Sequence, residues 1–249
     1  MKVTFDSNVW EKLLSEPSDY PAIKDKILNR SISPYLCEIS VSLESIQKSV
    51  RQRFFPNYRP TISVTRNPRP DGTTDFTIQV GPNHQSHPGL APILLAKLLK
   101  AQEMGFRLLP MTNLGTVRSP QIPKDMRAAI EGWDDYWNYA DRLSDCSEFI
   151  RGIGCGSHVY RQLKRSPHRD LDKELEKKLI KEFAKAVAEW ADGDALSAHY
   201  AFGADVFCTN DRARGAGSRS IFHPNNLARL KEKFGIVVLS PDELQAAIG

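Results

Sequence analysis

The stretch DALSAHYAFGADVFCTND, Asp194 to Asp211, decides the fold. Its first half is apolar at helical spacing and stops at Gly203. Asp205-Val-Phe-Cys-Thr then has the length and the β-branched and aromatic content of a buried strand. That strand closes on Asn210-Asp211, so a carboxylate stands where the chain leaves the sheet. Upstream, Leu171, Leu175, Leu179, Phe183 and Val187 recur every four residues and predict an amphipathic helix over 170–190. Asp192-Gly193-Asp194 reads as a break before a second helix, Ala195 to Phe202.

The same grammar appears at both ends of the chain. Lys2 to Phe5 reads as a strand that ends at Asp6-Ser7-Asn8, with a helix beginning near Val9. Ile32 to Ile39 reads as a second strand, interrupted by Glu38, and Ser40 as the N-cap of a helix carrying Leu43, Ile46 and Val50. The chain closes with a helix near Asn225–Lys233, a strand Ile236–Leu239 and a short helix from Pro241. Strand and helix alternate, so an α/β fold with parallel strands is expected.

The middle differs. Thr61 to Thr65 and Phe76 to Val80 read as two strands joined by the turn Arg69-Pro-Asp-Gly-Thr-Thr74, a hairpin near 60–81. A helix over 90–104 ends at Gly105, a short apolar segment spans Phe106 to Pro110, and 112–123 reads as loop. A further helix near 123–143 carries Trp133, Tyr136, Trp137 and Tyr139, for which core packing is preferred to base stacking. One domain is expected, formed by about 1–55 and 170–249, with an insertion at about 56–169.

Composition excludes several classes. With 249 residues, 41% of them hydrophobic and 26% charged, the chain has the balance of a globular protein with a sizeable core. No run approaches the roughly 18 apolar residues of a membrane span, and Asp6 interrupts the place where a signal peptide needs an apolar run. Cys37, Cys146, Cys155 and Cys208 form no C-x-x-C pair and read as reduced structural thiols, so a cytoplasmic location is expected. His84 and His87 form an H-x-x-H in a proline-flanked loop, read as solvated. Neither a G-x-S-x-G elbow nor a P-loop occurs.

Four acids stand at strand ends or helix starts that one edge of a parallel sheet could gather: Asp6, Glu44, Asp194 and Asp211. Open α/β sheets bind ligands at the carboxyl ends of their strands. Carboxylate oxygens suit hard divalent ions, and like charges gathered together need a cation between them. Asp192 competes for the third position, where Asp194 is preferred because the apolar helix follows it directly. Glu38 competes with Glu44 but falls inside the strand reading. Each acid alone reads equally as a helix cap or a surface charge.

On these residues the chain resembles the PIN-domain nucleases. The strand closing on Asp6-Ser7-Asn8, Ser40-x-x-x-Glu44, the stretch Asp194 to Asp211 and the tail Phe234-Gly-Ile-Val-Val-Leu-Ser-Pro-Asp-Glu-Leu244 follow the family's order. They cover roughly 1–50 and 180–245. The resemblance implies a PIN-like central parallel sheet flanked by helices. It further implies that Asp6, Glu44, Asp194 and Asp211 hold Mg²⁺ or Mn²⁺, with Asn8 and Asn210 orienting ligands or water. The implied reaction is phosphodiester hydrolysis by a metal-activated water, leaving a 5′-phosphate and a 3′-hydroxyl. The length of the central insertion departs from compact members of the family.

Net charge is only +4, yet basic residues cluster. Lys48, Arg51, Arg53, Arg59, Arg66 and Arg69 lie in an acid-free stretch interleaved with Phe54, Phe55 and Tyr58, the pairing of cations and stacking rings that grips single-stranded nucleic acid. Arg161, Lys164, Arg165 and Arg169 form a second patch. Arg212, Arg214 and Arg219, with Gly215 and Gly217, follow Asp211 and form a third. RNA is preferred as substrate by family analogy, in which such proteins act as toxins or RNA-processing factors. Rival readings are a catalytically silent PIN-like RNA-binding or scaffold module, a structure-specific DNA nuclease, and an insertion that binds an inhibitor or antitoxin protein. A homo-oligomer stays open.

Overall fold

Val3, Thr4 and Phe5 are buried on a four-residue strand, β1 (Lys2–Phe5), with parallel neighbours on both sides. Such a strand must be apolar on both faces, because helices cover both sides of a parallel sheet. The computed structural model describes residues 1–46, 50–51, 54, 58–59, 61–81, 83, 89–110, 121–165, 173–213 and 217–249. Beside β1 lies β2 (Ser33–Cys37), and beyond it β5 (Arg107–Leu109). On the other side are β6 (Val206–Cys208) and β7 (Val238–Leu239). All four pairings are parallel, giving the order β5-β2-β1-β6-β7. The chain therefore winds outward from β1 one way and returns to wind the other, and the switch point falls between β1 and β6. At such a crevice the loops diverge and leave room for a ligand.

Alternation along the strands splits the core into two layers. Val3, Phe5, Leu36, Leu108 and Cys208 face a layer built with α1 (Ser7–Leu13), α2 (Pro21–Leu28), the helix Pro92–Glu103 and the C-terminal helix Pro241–Ile248. Cys37, Leu109 and Phe207 face the other layer. Numbered in chain order, α3 is Glu38–Glu44, α4 Pro92–Glu103, α5 Trp133–Gly152, α6 Ser157–Arg165, α7 Lys173–Phe202, α8 Pro224–Phe234 and α9 Pro241–Ile248. The second layer draws on α5, α6, α7 and α8.

Several expectations are corrected by these elements. The break at Asp192-Gly193-Asp194 is absent, and α7 runs unbroken for 30 residues. A glycine inside a helix costs about 1 kcal/mol against alanine, but here it is a packing residue. A Cβ on Gly193 would stand 3.1 Å from the Gly156 Cα and 3.2 Å from the Ile150 Cγ2, where the α5–α6 turn crosses the helix. Glu38 is not in a strand. It opens α3 directly after β2, with Cys37 in the N-cap place, and Ser40 lies inside the helix. The helix near 123–143 begins only at Trp133, after a short 3₁₀ turn at Lys124–Met126. Within the stretch read as an insertion, β5 supplies an edge of the central sheet while α5 and α6 pack into the second core layer.

The hairpin is a separate feature. β3 (Thr61–Pro68) and β4 (Thr74–Gly81) pair antiparallel as a two-stranded sheet of their own. The four cysteines are free and buried. No helix among the described residues is long and apolar enough to cross a membrane. His84, His87, Lys48, Arg53, Phe55, Arg169, Arg214, Gly215 and most of 112–123 lie outside the described residues.

Candidate acidic site at the sheet switch point

Asp6 ends β1 and caps α1, so the bland and the functional readings of this residue coincide. Its Oδ1 accepts the Ser7 N–H at 2.7 Å, while Oδ2 accepts the Asn8 Nδ2 at 2.8 Å and the Thr209 hydroxyl at 2.6 Å. Thr209 follows β6, across the switch point, and its Oγ1 also accepts the Asp211 N–H at 2.9 Å. One hydroxyl thus ties the first acid to the last. Asp211 Oδ1 in turn accepts the Ala213 N–H at 2.7 Å, a tight turn that puts Ala213 at φ +58°. Asn8 completes the frame by accepting the Asn210 N–H at 2.9 Å. Asn8 is therefore a positioning group behind Asp6, whereas the Asn210 side chain donates to the Tyr20 hydroxyl at 3.1 Å.

Charge crowds this frame. Burial pushes the Asp6 carboxyl above its ordinary value against its hydrogen bonds, and the charge of Asp211 adds to the rise. Asp192 is pushed well above the carboxylate range, first by burial and then by the charges of Asp6, Glu189 and Asp211. Glu189 rises to about 7, chiefly through burial, although it accepts the Ile221 N–H at 2.6 Å. Glu44 also rises to about 7 by burial, and the charges of Glu11 and Asp6 reinforce it while Ser7 and Arg51 oppose it. The Glu44 Oε2 is buried and accepts no hydrogen bond.

The third acid has two candidates on the unbroken α7. Residues 192 and 194 lie roughly 200° apart around a helix of 3.6 residues per turn. Asp192 shares a helix face with Glu189, three residues earlier; both line one cleft with Asp211, and the charges of Asp6, Glu189 and Asp211 raise Asp192. Asp194 is buried on another face, and the Cys37 thiol at the end of β2 is pushed up first by burial and then by the charges of both Asp6 and Asp194. Continuity of α7 removes the reason for preferring Asp194. Glu38 is likewise accounted for: it is 1% exposed and takes Arg127 Nε at 3.1 Å and Nη2 at 2.8 Å on one oxygen.

An open cleft of about 430 Å³ runs from Asp192 and Asp211 between α6 and α7, with Lys185 and Arg219 on its walls. The other basic residues disperse. Arg51 turns inward, donating to the Ile46 carbonyl at 2.6 Å and facing Glu44. Arg212 pairs with Glu243 at 3.2 Å and Arg69 with Asp75 at 2.6 Å. Phe54 and Tyr58 stack on each other at 5.1 Å and lean on the core, so they form no free platform for bases.

Among the described residues, no three Asp, Glu, His or Cys side chains converge closely enough to hold a metal ion as they stand. The donor chemistry suits a hard divalent cation all the same. Carboxylate oxygens are the donors such an ion takes, and carboxylates gathered in a buried place raise one another's proton affinity.

Family models, curated proteins and solved structures were compared with the chain, and none matches.

Glu189, Glu11 and Thr209 were not foreseen as parts of the site. The spacing of Glu189 and Asp192 on a helix was a usable signal for one of them. Nothing in the sequence marks Thr209 apart from its place before Asn210-Asp211.

Proposed function

We propose that this chain is a metal-dependent phosphodiester hydrolase of the PIN-like kind, with RNA as its substrate. The observation that carries the reading is the mutual influence of the charges of Asp6, Asp192 and Asp211 near the switch point of the parallel sheet, with Asp192 and Asp211 in a cleft that Glu182, Glu189, Lys185 and Arg219 also line. Asp6, Asp192, Asp211 and Glu44 are the residues that would hold Mg²⁺ or Mn²⁺. Such an ion, when bound, lowers the pKa of a coordinated water and neutralises charge gathering on a phosphoryl group. The chain's own part is positional. Thr209, Ser7 and Asn8 fix Asp6, and the Ala213 N–H fixes Asp211. Lys185 and Arg219 offer charge to phosphates entering the cleft. The preference for RNA over DNA rests on the family resemblance alone.

The experiment is a cleavage assay on labelled single-stranded RNA and DNA with Mg²⁺, Mn²⁺ or EDTA, using wild type, Asp6→Asn and Asp192→Asn. Metal-dependent cutting of RNA that both substitutions abolish is expected. Cutting that ignores EDTA, or survives both substitutions, sinks the reading. The spacing of the acids favours one rival, a silent RNA-binding module, since no three of them converge as they stand. RNA binding without cutting under every metal condition would establish that rival.

A further inference from the structure

The β3–β4 ribbon exposes an apolar face that no other described residue covers. Ile62 and Val64 on β3 are 64% and 60% exposed, and Phe76 and Ile78 on β4 are 59% and 66% exposed. Register puts Val64 opposite Ile78 and Arg66 opposite Phe76, so alternation gathers these five side chains on one face. The Arg66 guanidinium lies 5.5 Å from the centre of the Phe76 ring. The ion pair Arg69–Asp75 belongs to the turn end of the ribbon, and Asp75 stands opposite Asn67 on the other face. The apolar face therefore carries a single charge, a cation. A two-stranded ribbon is marginal in water until something covers it, and an exposed apolar stripe is a surface that a protein contact would bury.

A second uncovered surface has the matching character. Trp133, Tyr136, Trp137 and Tyr139 were expected in the core, but only Tyr139 is buried. Residues 131–138 are exposed on every side, so the first turns of α5 project into solvent. Trp133 is 76% exposed, and Tyr136 stands edge-on to Trp133 at 6.4 Å and to Trp137 at 5.6 Å. Around these rings stand Glu131, Asp134 and Asp135, with no lysine or arginine between Arg127 and Arg142.

We propose that the apolar face of the β3–β4 ribbon docks on the projecting aromatic turns of α5 in a second copy of this chain. Both halves of the complementary pair are carried by one sequence, and neither is covered among the described residues. Apolar side chains meet rings, and Arg66 meets Asp134 and Asp135. Made reciprocally, two such contacts close a two-fold dimer. Aromatic residues and arginine are the usual anchors of an interface.

Analytical ultracentrifugation of the full chain across a concentration series tests this. Wild type sediments as a dimer that dissociates on dilution and more readily at high salt. Val64→Glu and Trp137→Ala each weaken association by about thirty-fold, the loss of one interfacial anchor, while far-UV circular dichroism is unchanged. Arg66→Glu weakens it as well, and adding Asp134→Arg and Asp135→Arg in the same chain restores the dimer. A chain that stays monomeric at every concentration overturns the proposal. So does a dimer that ignores the α5 substitutions, because ribbon would then be pairing with ribbon.

Discussion

Replacing Glu44 by glutamine should make the metal-free protein more stable, by an amount that grows as pH rises from about 4.5 to about 7. Glu44 is held at about 7 in the folded chain, against an ordinary 4.5, mainly because burial disfavours its charged form. Between those two values the folded state binds more protons than the unfolded one, so the contribution of Glu44 falls as pH rises from about 4.5 to about 7 and stays low above that. At about 1.4 kcal/mol per pH unit, that interval sets a ceiling of about 3 kcal/mol. Glutamine keeps the shape and removes the charge. In EDTA at pH 8 the Glu44→Gln chain should gain up to about 3 kcal/mol, or roughly 6–12 °C in Tm for a chain of this size. At pH 4.5 the gain should vanish, because wild-type Glu44 is then largely neutral in the folded chain. Urea melts at the two pH values, each with EDTA and with Mg²⁺, provide the assay. Mg²⁺ should stabilise wild type more than the variant. An equal effect at both pH values, or no gain at pH 8, would show that Glu44 is not a charge held out of water, and the acidic-site argument would lose one of its members.

Asp192→Asn is expected to reduce metal-dependent cleavage more than Asp194→Asn, since Asp192 is the residue in the field of Asp6 and Asp211; initial rates on one RNA substrate decide it. Removing the guanidinium from Glu38 with Arg127→Ala should cost about 1.5–3 kcal/mol, the usual worth of hydrogen bonds to a charged group, and Glu38→Gln added to it should recover part of that loss in urea melts. His199 is 1% exposed and contacts the Thr4 Oγ1 through Nδ1 at 2.9 Å, and burial lowers it from 6.5 to about 4. Below pH 6.5 the unfolded chain takes up a proton there that the folded chain refuses. Wild type should therefore lose about 3 kcal/mol relative to His199→Asn as pH falls from 6.5 to about 4, and paired melts across that range would read it.

How much of this was legible in the sequence depends on the range of the interaction. The strand ends at Asp6 and Asp211 could be read because each sits where an apolar run stops, and the sheet pairs β1 directly with β6. The continuity of α7 could not, because a glycine between two aspartates is the local pattern of a break. What accompanies the glycine is a turn 37 residues earlier in the chain, at Gly156, whose Cα would press on a Cβ at 193 from 3.1 Å, so a residue without a side chain packs there most easily. The choice between Asp192 and Asp194 turned on that single contact. Breaking the helix there frees Asp194 to act as an N-cap, whereas an unbroken helix sends the two aspartates to different faces and gives Asp192 the company of Glu189. Basic residues failed to read true for a related reason. Counted along the chain, Arg51, Arg69 and Arg212 belong to cationic patches. In the fold each has found an acid or a carbonyl, and the cations left on the cleft walls are Lys185, from a helix read only for its apolar stripe, and Arg219. Linear charge density therefore drew attention to residues that do not line the cleft. The charge available to a phosphate is what remains after the fold has made its own pairs.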